Sequence, residues 1–134
     1  PQGTFMQVIL FIAFGSALGG TFRFLLNLFI SERASSSFPW GIFIINVIGC
    51  FLAGFLFTIT DVGGKIFLPP AIRQGLLIGF LGGFTTFSSF SYETLTLINN
   101  GQYLLATSNC LFSVVTCLFA TFTGIIIANN FNCS

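Results

Sequence analysis

Few side chains in this sequence could do chemistry. Its carboxylates are Glu32, Asp61 and Glu93, its cations are Arg23, Arg33, Lys65 and Arg73, and it has no histidine. Glu32 and Asp61 fall in polar connectors. Only Glu93 belongs to an apolar run, near its end. No two carboxylates pair, and no nucleophile has a base at useful spacing, so acid–base and covalent catalysis lack their parts. Cys50, Cys110, Cys117 and Cys133 are scattered, with no metal-like pair among them. The first three read as small hydrophobes within apolar runs, and Cys133 as a free thiol in a polar tail. Metal-assisted catalysis lacks ligands. An enzyme is not expected.

What remains is a set of uncharged polar groups inside apolar stretches. Asn46 sits in the middle of one, and its amide offers two donors and an acceptor. The run Gly82-Gly83-Phe84-Thr85-Thr86-Phe87-Ser88-Ser89-Phe90-Ser91 combines two glycines with a string of hydroxyls, which is poor helix interior. A break near Gly82 to Thr86 would free backbone N–H and C=O groups, which transporters and channels use to hold ions. Asn109, Ser113 and Cys117 recur every four residues and share one helical face as a weakly polar track, or as hydrogen-bonding glue between helices. Phe87 and Phe90 lie three apart directly after the break. A phenyl ring has a positive edge, and edges turned inward favour an anion without the grip of a lysine. Plain packing is the alternative role for both rings.

These groups need elements to position them, and the composition says which kind. Only 5% of the 134 residues are charged, against about 25% in a soluble domain. Mean hydropathy is +0.99. A water-facing surface cannot be built from seven charged side chains, so the bilayer must serve as solvent. A membrane helix needs about 20 apolar residues. Four runs meet that need, at residues 4–30, 39–60, 68–98 and 103–128, with the third too long for one simple span and interrupted at the break. The expected fold is therefore all-α, a single membrane domain of four transmembrane helices. The chain opens at Pro1 rather than Met, so its start is expected to be trimmed or re-engineered. The apolar stretch from Phe5 to Phe14 has no basic residue before it and reads as half of a membrane helix, not a cleavable signal. Net charge is +1 with no basic patch, which gives nucleic acid no footing.

Small residues recur at spacings that let helices approach closely: Gly15 and Gly19, Gly49 and Ala53, and Gly75, Gly79 and Gly83. Four short spans enclose little space, which argues for an oligomer. Lys65 and Arg73 mark one side of the membrane, Arg33 and Arg23 the other. The positive-inside rule then gives almost no orientation, and an antiparallel, dual-topology homodimer is expected.

The motifs resemble the Fluc (CrcB) fluoride channel family. The matching stretches are Gly19-Gly20-Thr21-Phe22-Arg23, Gly41 through Asn46-Val47-Ile48-Gly49, and Gly82-Gly83-Phe84-Thr85-Thr86-Phe87-Ser88-Ser89-Phe90 with Glu93 beyond. The resemblance implies a dual-topology homodimer in the cell membrane, with two fluoride pores and a central structural sodium ion. It carries the sodium ligands onto the backbone carbonyls of Gly82 and Thr85. It carries the pore onto Asn46, Phe87 and Phe90, with Asn109, Ser113 and Cys117 along the fourth helix and Arg23 and Glu93 at the approach. The chain departs from the family's pattern at Ile42, where a threonine is usual, and at Cys117, which replaces a stronger hydrogen-bonding group.

The reading is a passive, fluoride-selective channel that exports toxic fluoride from the cytoplasm. Its rival is a small multidrug-type transporter, also a four-helix dual-topology dimer. That would need a membrane-embedded carboxylate in its first helix, and none is there. A non-transporting scaffold would explain the small-residue stripes but not the break, phenylalanines and asparagine together.

Overall fold

The computed structural model describes residues 2–134, and among them every regular element is helical. Helices α1 (Gln2–Arg33), α2 (Trp40–Ile59) and α6 (Tyr103–Cys133) are each long and apolar enough to cross a membrane. Between α2 and α6 lies an interrupted segment. It consists of α3 (Pro70–Gln74), a π-helical stretch (Gly75–Phe80), α4 (Leu81–Phe84) and, after Thr85 and Thr86, α5 (Phe87–Asn99). The joints at Gly75 and Leu81 keep right-handed helical dihedrals, so residues 70–84 form one continuous rod. The predicted break is real but narrower than its candidate window. Gly82 and Gly83 stay helical, and only Thr85 and Thr86 are extended, with ψ of 156° and 120°.

Helix α6 runs to Cys133, past the apolar run that ends near residue 128. The polar tail is tied down, which explains the extension. Lys65 N donates to Asn132 Oδ1 at 2.9 Å, Lys65 Nζ to the Phe131 carbonyl at 3.2 Å, and Asn132 Nδ2 to the Thr58 carbonyl at 3.4 Å. At the same end, Arg73 closes the C-terminus of α2. Its Nε donates to Thr60 O at 3.0 Å and to Thr60 Oγ1 at 3.1 Å, and Nη2 reaches Phe57 O at 3.5 Å. A cation there satisfies orphan carbonyls and suits the negative end of the helix dipole.

The most extensive helix pairings are parallel, between helices that are not consecutive in sequence. Helix α1 lies along residues 70–84, with its Phe11, Ile12, Gly15, Ser16 and Gly19 against Gly75, Gly79, Phe80 and Gly83 in rising order. Helix α2 lies along α6, from Cys50 beside Thr121 to Thr58 beside Asn132. The glycine stripes sit where backbones touch. A β-carbon at Gly79 would stand 2.6 Å from the Ile12 carbonyl oxygen, and one at Gly83 2.7 Å from that of Ser16. A β-carbon at Gly54 would collide with the Thr121 carbonyl. Phenylalanines point the other way. Phe5, Phe14, Phe24, Phe112 and Phe119 are exposed, while the buried set is mostly Ile, Leu and Ala with Phe84. Such a surface needs hydrocarbon around it.

The interrupted segment traverses the same height as α2. It starts where Arg73 meets the end of α2 and finishes where Asn100 and Gln102 share a groove with Phe38 and Pro39 at the start of α2. Its break therefore falls beside the middle of α2, against Asn46 and Gly49.

Candidate functional site

Two different residues make the break. Thr86 caps α5, its Oγ1 accepting from Ser89 N at 3.1 Å and lying 3.2 Å from both Ser88 Oγ and Ser89 Oγ. Threonine is a favoured N-cap because its hydroxyl satisfies an orphan N–H. Asn46 then holds the extended backbone from α2. Its Nδ2 donates to the Thr86 carbonyl at 3.0 Å, and its Oδ1 accepts from Thr86 N at 2.9 Å. The amide thus pairs with the break as a neighbouring strand would. One Asn46 N–H is left over.

This pairing frees other groups. Thr86 N turns to Asn46 and so gives up the Gly82 carbonyl, its ordinary helical acceptor. Gly82 is exposed, with nothing within 4 Å of where a β-carbon would point. The Thr85 carbonyl likewise has no helical donor, because Ser89 N bonds the Thr86 hydroxyl. It accepts a long bond from Arg23 Nη1, at 3.4 Å. The charge balance of the sequence groups Arg23 with Arg33 on one side of the membrane, but Arg23 does not reach that interface. It faces protein, ten residues before Arg33 and about 15 Å inside the helix end at 1.5 Å per residue.

Beside the break a groove of about 250 Å³ is lined by Asn46, Cys50, Thr85, Thr86, Phe87, Phe90, Ser113, Val114 and Cys117. It gathers Asn46, both phenylalanines, Ser113 and Cys117 from three helices. The Phe87 and Phe90 rings lie 5.4 Å apart and tilted by 42°. Phe87 is 77% exposed, so the groove is open along that side.

Asn109 does not line this groove. It is 1% exposed and lies between α5 and α6. Its Nδ2 donates to Thr94 Oγ1 at 2.9 Å, and its Oδ1 accepts from Ser113 Oγ at 3.2 Å. Thr94 in turn donates to the Phe90 carbonyl at 2.7 Å. Asn109 therefore links the Phe90 turn to the Ser113 hydroxyl from behind. Ile42 is buried in α2 and lines none of the grooves described here. Glu93 stands further along α5, in a groove of about 420 Å³ that includes Ser36, Ser37, Phe38, Tyr92 and Asn100. Its Oε2 is buried without a hydrogen-bond partner among the described residues.

Sequence reasoning missed Thr86 and Thr94. Thr86 reads only as one member of the hydroxyl run, and Thr94 is not singled out. The available signal was the spacing of Thr86 to Ser89, a threonine three residues ahead of a helix position whose N–H needs an acceptor.

Long apolar helices around a polar break make this a multi-pass membrane protein, with its hydrogen-bonding groups gathered at membrane depth. The family model described as CrcB-like protein, Camphor Resistance (CrcB) matches residues 10–125, and the chain belongs to that family. Similar curated proteins are named Fluoride-specific ion channel FluC. The one from Paramagnetospirillum magneticum is 43% identical over 90% of this chain and 94% of its own length. The one from Geotalea uraniireducens is 44% identical over 92% and 98%. The one from Rhodospirillum rubrum is 45% identical over 86% and 89%.

Proposed function

We propose that this chain is a passive, fluoride-selective channel that works as an antiparallel homodimer in the cell membrane. The observation that carries the reading is the convergence of Asn46, Phe87, Phe90 and Ser113 on one groove at the helix break. An anion there meets the spare N–H of Asn46, the Ser113 hydroxyl once it rotates away from Asn109, and the positive ring edges of the two phenylalanines. Neither lysine nor arginine lines this groove, so no full positive charge traps the ion. Conduction asks for binding strong enough to replace water and weak enough to release. The names of the similar proteins support fluoride as the ion.

A second copy is needed to complete the groove. Along the side where Phe87 is 77% exposed, an ion would face lipid tails, and a charge at that depth is costly. With Arg23 drawn inward, Arg33 stands at one end of the bundle and Lys65 and Arg73 at the other. Such a small difference instructs orientation weakly and supports insertion both ways. The carbonyls of Gly82 and Thr85 fit a hard monovalent cation, being neutral oxygens without helical donors. They would hold sodium on the two-fold axis with their copies, where the ion would fix one break against the other. The weak Arg23 bond must then yield or share the Thr85 oxygen. Glu93 lies at the approach, toward the first connector.

Purified protein in liposomes loaded with potassium fluoride or potassium chloride tests the reading. Fluoride leaves and chloride stays. Equal efflux of both ions rejects selectivity, and efflux of neither rejects the channel.

A further inference from the structure

Two groove residues supply none of the donors proposed for the ion: Cys50, and Cys117, which the family resemblance places only along the fourth-helix track. Cys50 belongs to α2 and Cys117 to α6, the helices that pair in parallel. Their separation is fixed at this level by one hydroxyl. Thr121 Oγ1 lies 3.1 Å from the Cys50 carbonyl oxygen and 3.1 Å from the Cys117 carbonyl oxygen. One turn along, Gly54 has no room for a β-carbon against Thr121. With the backbones held this close, both cysteines line the same groove from facing helices. Both are free and partly accessible. Each is one helical turn from a group assigned to the ion path, Cys50 from Asn46 and Cys117 from Ser113.

We infer that Cys50 and Cys117 form a two-sulfur site for a soft, two-coordinate metal ion such as mercury(II), and that the bound metal closes the groove. Thiolate sulfur selects soft metals over hard ones. In the reaction with mercuric chloride two S–H and two Hg–Cl bonds break, two S–Hg bonds form, and two protons and two chloride ions pass to water. The S–Hg–S product is neutral, which suits a place where net charge is costly. Zinc(II) calls for four donors, and the groove lining offers no third thiol, carboxylate or imidazole. The bridge also ties α2 to α6 across the route past Asn46 and Ser113. The closing step rests on the channel reading; metal binding does not.

The test uses the Cys110→Ser, Cys133→Ser double variant, which leaves only the groove thiols. Mercuric chloride is titrated against the protein in detergent, followed by mercury–thiolate ultraviolet absorption and by counting free thiols. Fluoride efflux from liposomes is measured in parallel. One mercury per chain consumes both thiols and stops efflux, and excess dithiothreitol restores it. Adding Cys117→Ser or Cys50→Ser weakens mercury binding, and efflux through the Cys50→Ser variant resists mercury. Two mercury ions per chain, or a thiol still free after one equivalent, overturns the site. Tight binding with undiminished efflux overturns the closure. A protein that passes no fluoride before mercury is added fails the channel reading instead, and the titration still decides the metal site.

Discussion

The two halves of the interrupted helix are built on opposite terms. The first, residues 70–84, carries no polar side chain from Gly75 to Phe84 and lays Gly75, Gly79 and Gly83 directly on the α1 backbone. The second, α5, is dressed with Ser88, Ser89, Ser91, Thr94 and Thr96, and meets α6 through the hydrogen bond that Asn109 donates to Thr94. The first half is held by shape, where a single methyl group is too much. The second is held by donors and acceptors that can change partners. A membrane helix that must hold its place and also face an ion can divide those demands at a break.

That contrast can be broken by substitution, and the largest effect should come from the first half. Gly79→Leu drives a β-carbon to within 2.6 Å of the Ile12 carbonyl, an unyielding backbone atom. Overpacking a core costs about 1–3 kcal/mol when side chains can adjust. Here backbone must move, so loss of folded protein on gel filtration is expected. A wild-type melting temperature would show the α1 interface to be loose.

Asn46→Asp comes next. It replaces the Nδ2 donor by a carboxylate oxygen facing the Thr86 carbonyl. An unsatisfied, repelling pair costs about 1–3 kcal/mol, and the charge opposes an anion in the groove. Fluoride efflux should vanish and the melting temperature should fall. Undiminished efflux removes Asn46 from the path.

Phe87→Ile and Phe90→Ile should barely affect folding, with apolar bulk kept at a cost of about 1.5 kcal/mol or less. Efflux should nonetheless collapse, because isoleucine has no ring edge to offer. Efflux at parental rates in both variants reduces the rings to packing. The smallest effect within one chain belongs to Gly82→Ala, where nothing lies within 4 Å. Alanine favours a helix by about 0.5–1 kcal/mol over glycine. If the chain sediments as the proposed dimer, weakening of that dimer on analytical ultracentrifugation reports the partner at that face, an intact dimer places the axis elsewhere, and a monomeric parent overturns the dimer.

Hydrophobic run length made the helices legible, and the pile of glycines and hydroxyls marked the break to within a few residues. Sequence alone left the break's mechanism open, because it depends on Asn46, forty positions away, bonding both backbone groups of Thr86. Asn109 and Ser113 share a helical face as their spacing requires, yet only Ser113 lines the groove. Four-residue spacing cannot tell the front of a helix from the seam beside it. The charge of Arg23 was visible, but its inward reach depends on which carbonyl the break leaves free.

The parallel pairing of α1 with residues 70–84, and of α2 with α6, also sets a schedule for synthesis. Each of the first two helices must wait for a partner encoded much later, and the seat beside α2 stays empty until the last helix leaves the ribosome. No pair of consecutive helices forms a finished unit that could be quality-checked alone. Nascent α2, with Gly54 bare until α6 arrives and Asn46 unpaired until the break forms, is therefore a stretch that depends on protection in the translocon. A nonsense mutation before α6 should yield a product cleared by proteolysis rather than a smaller working bundle.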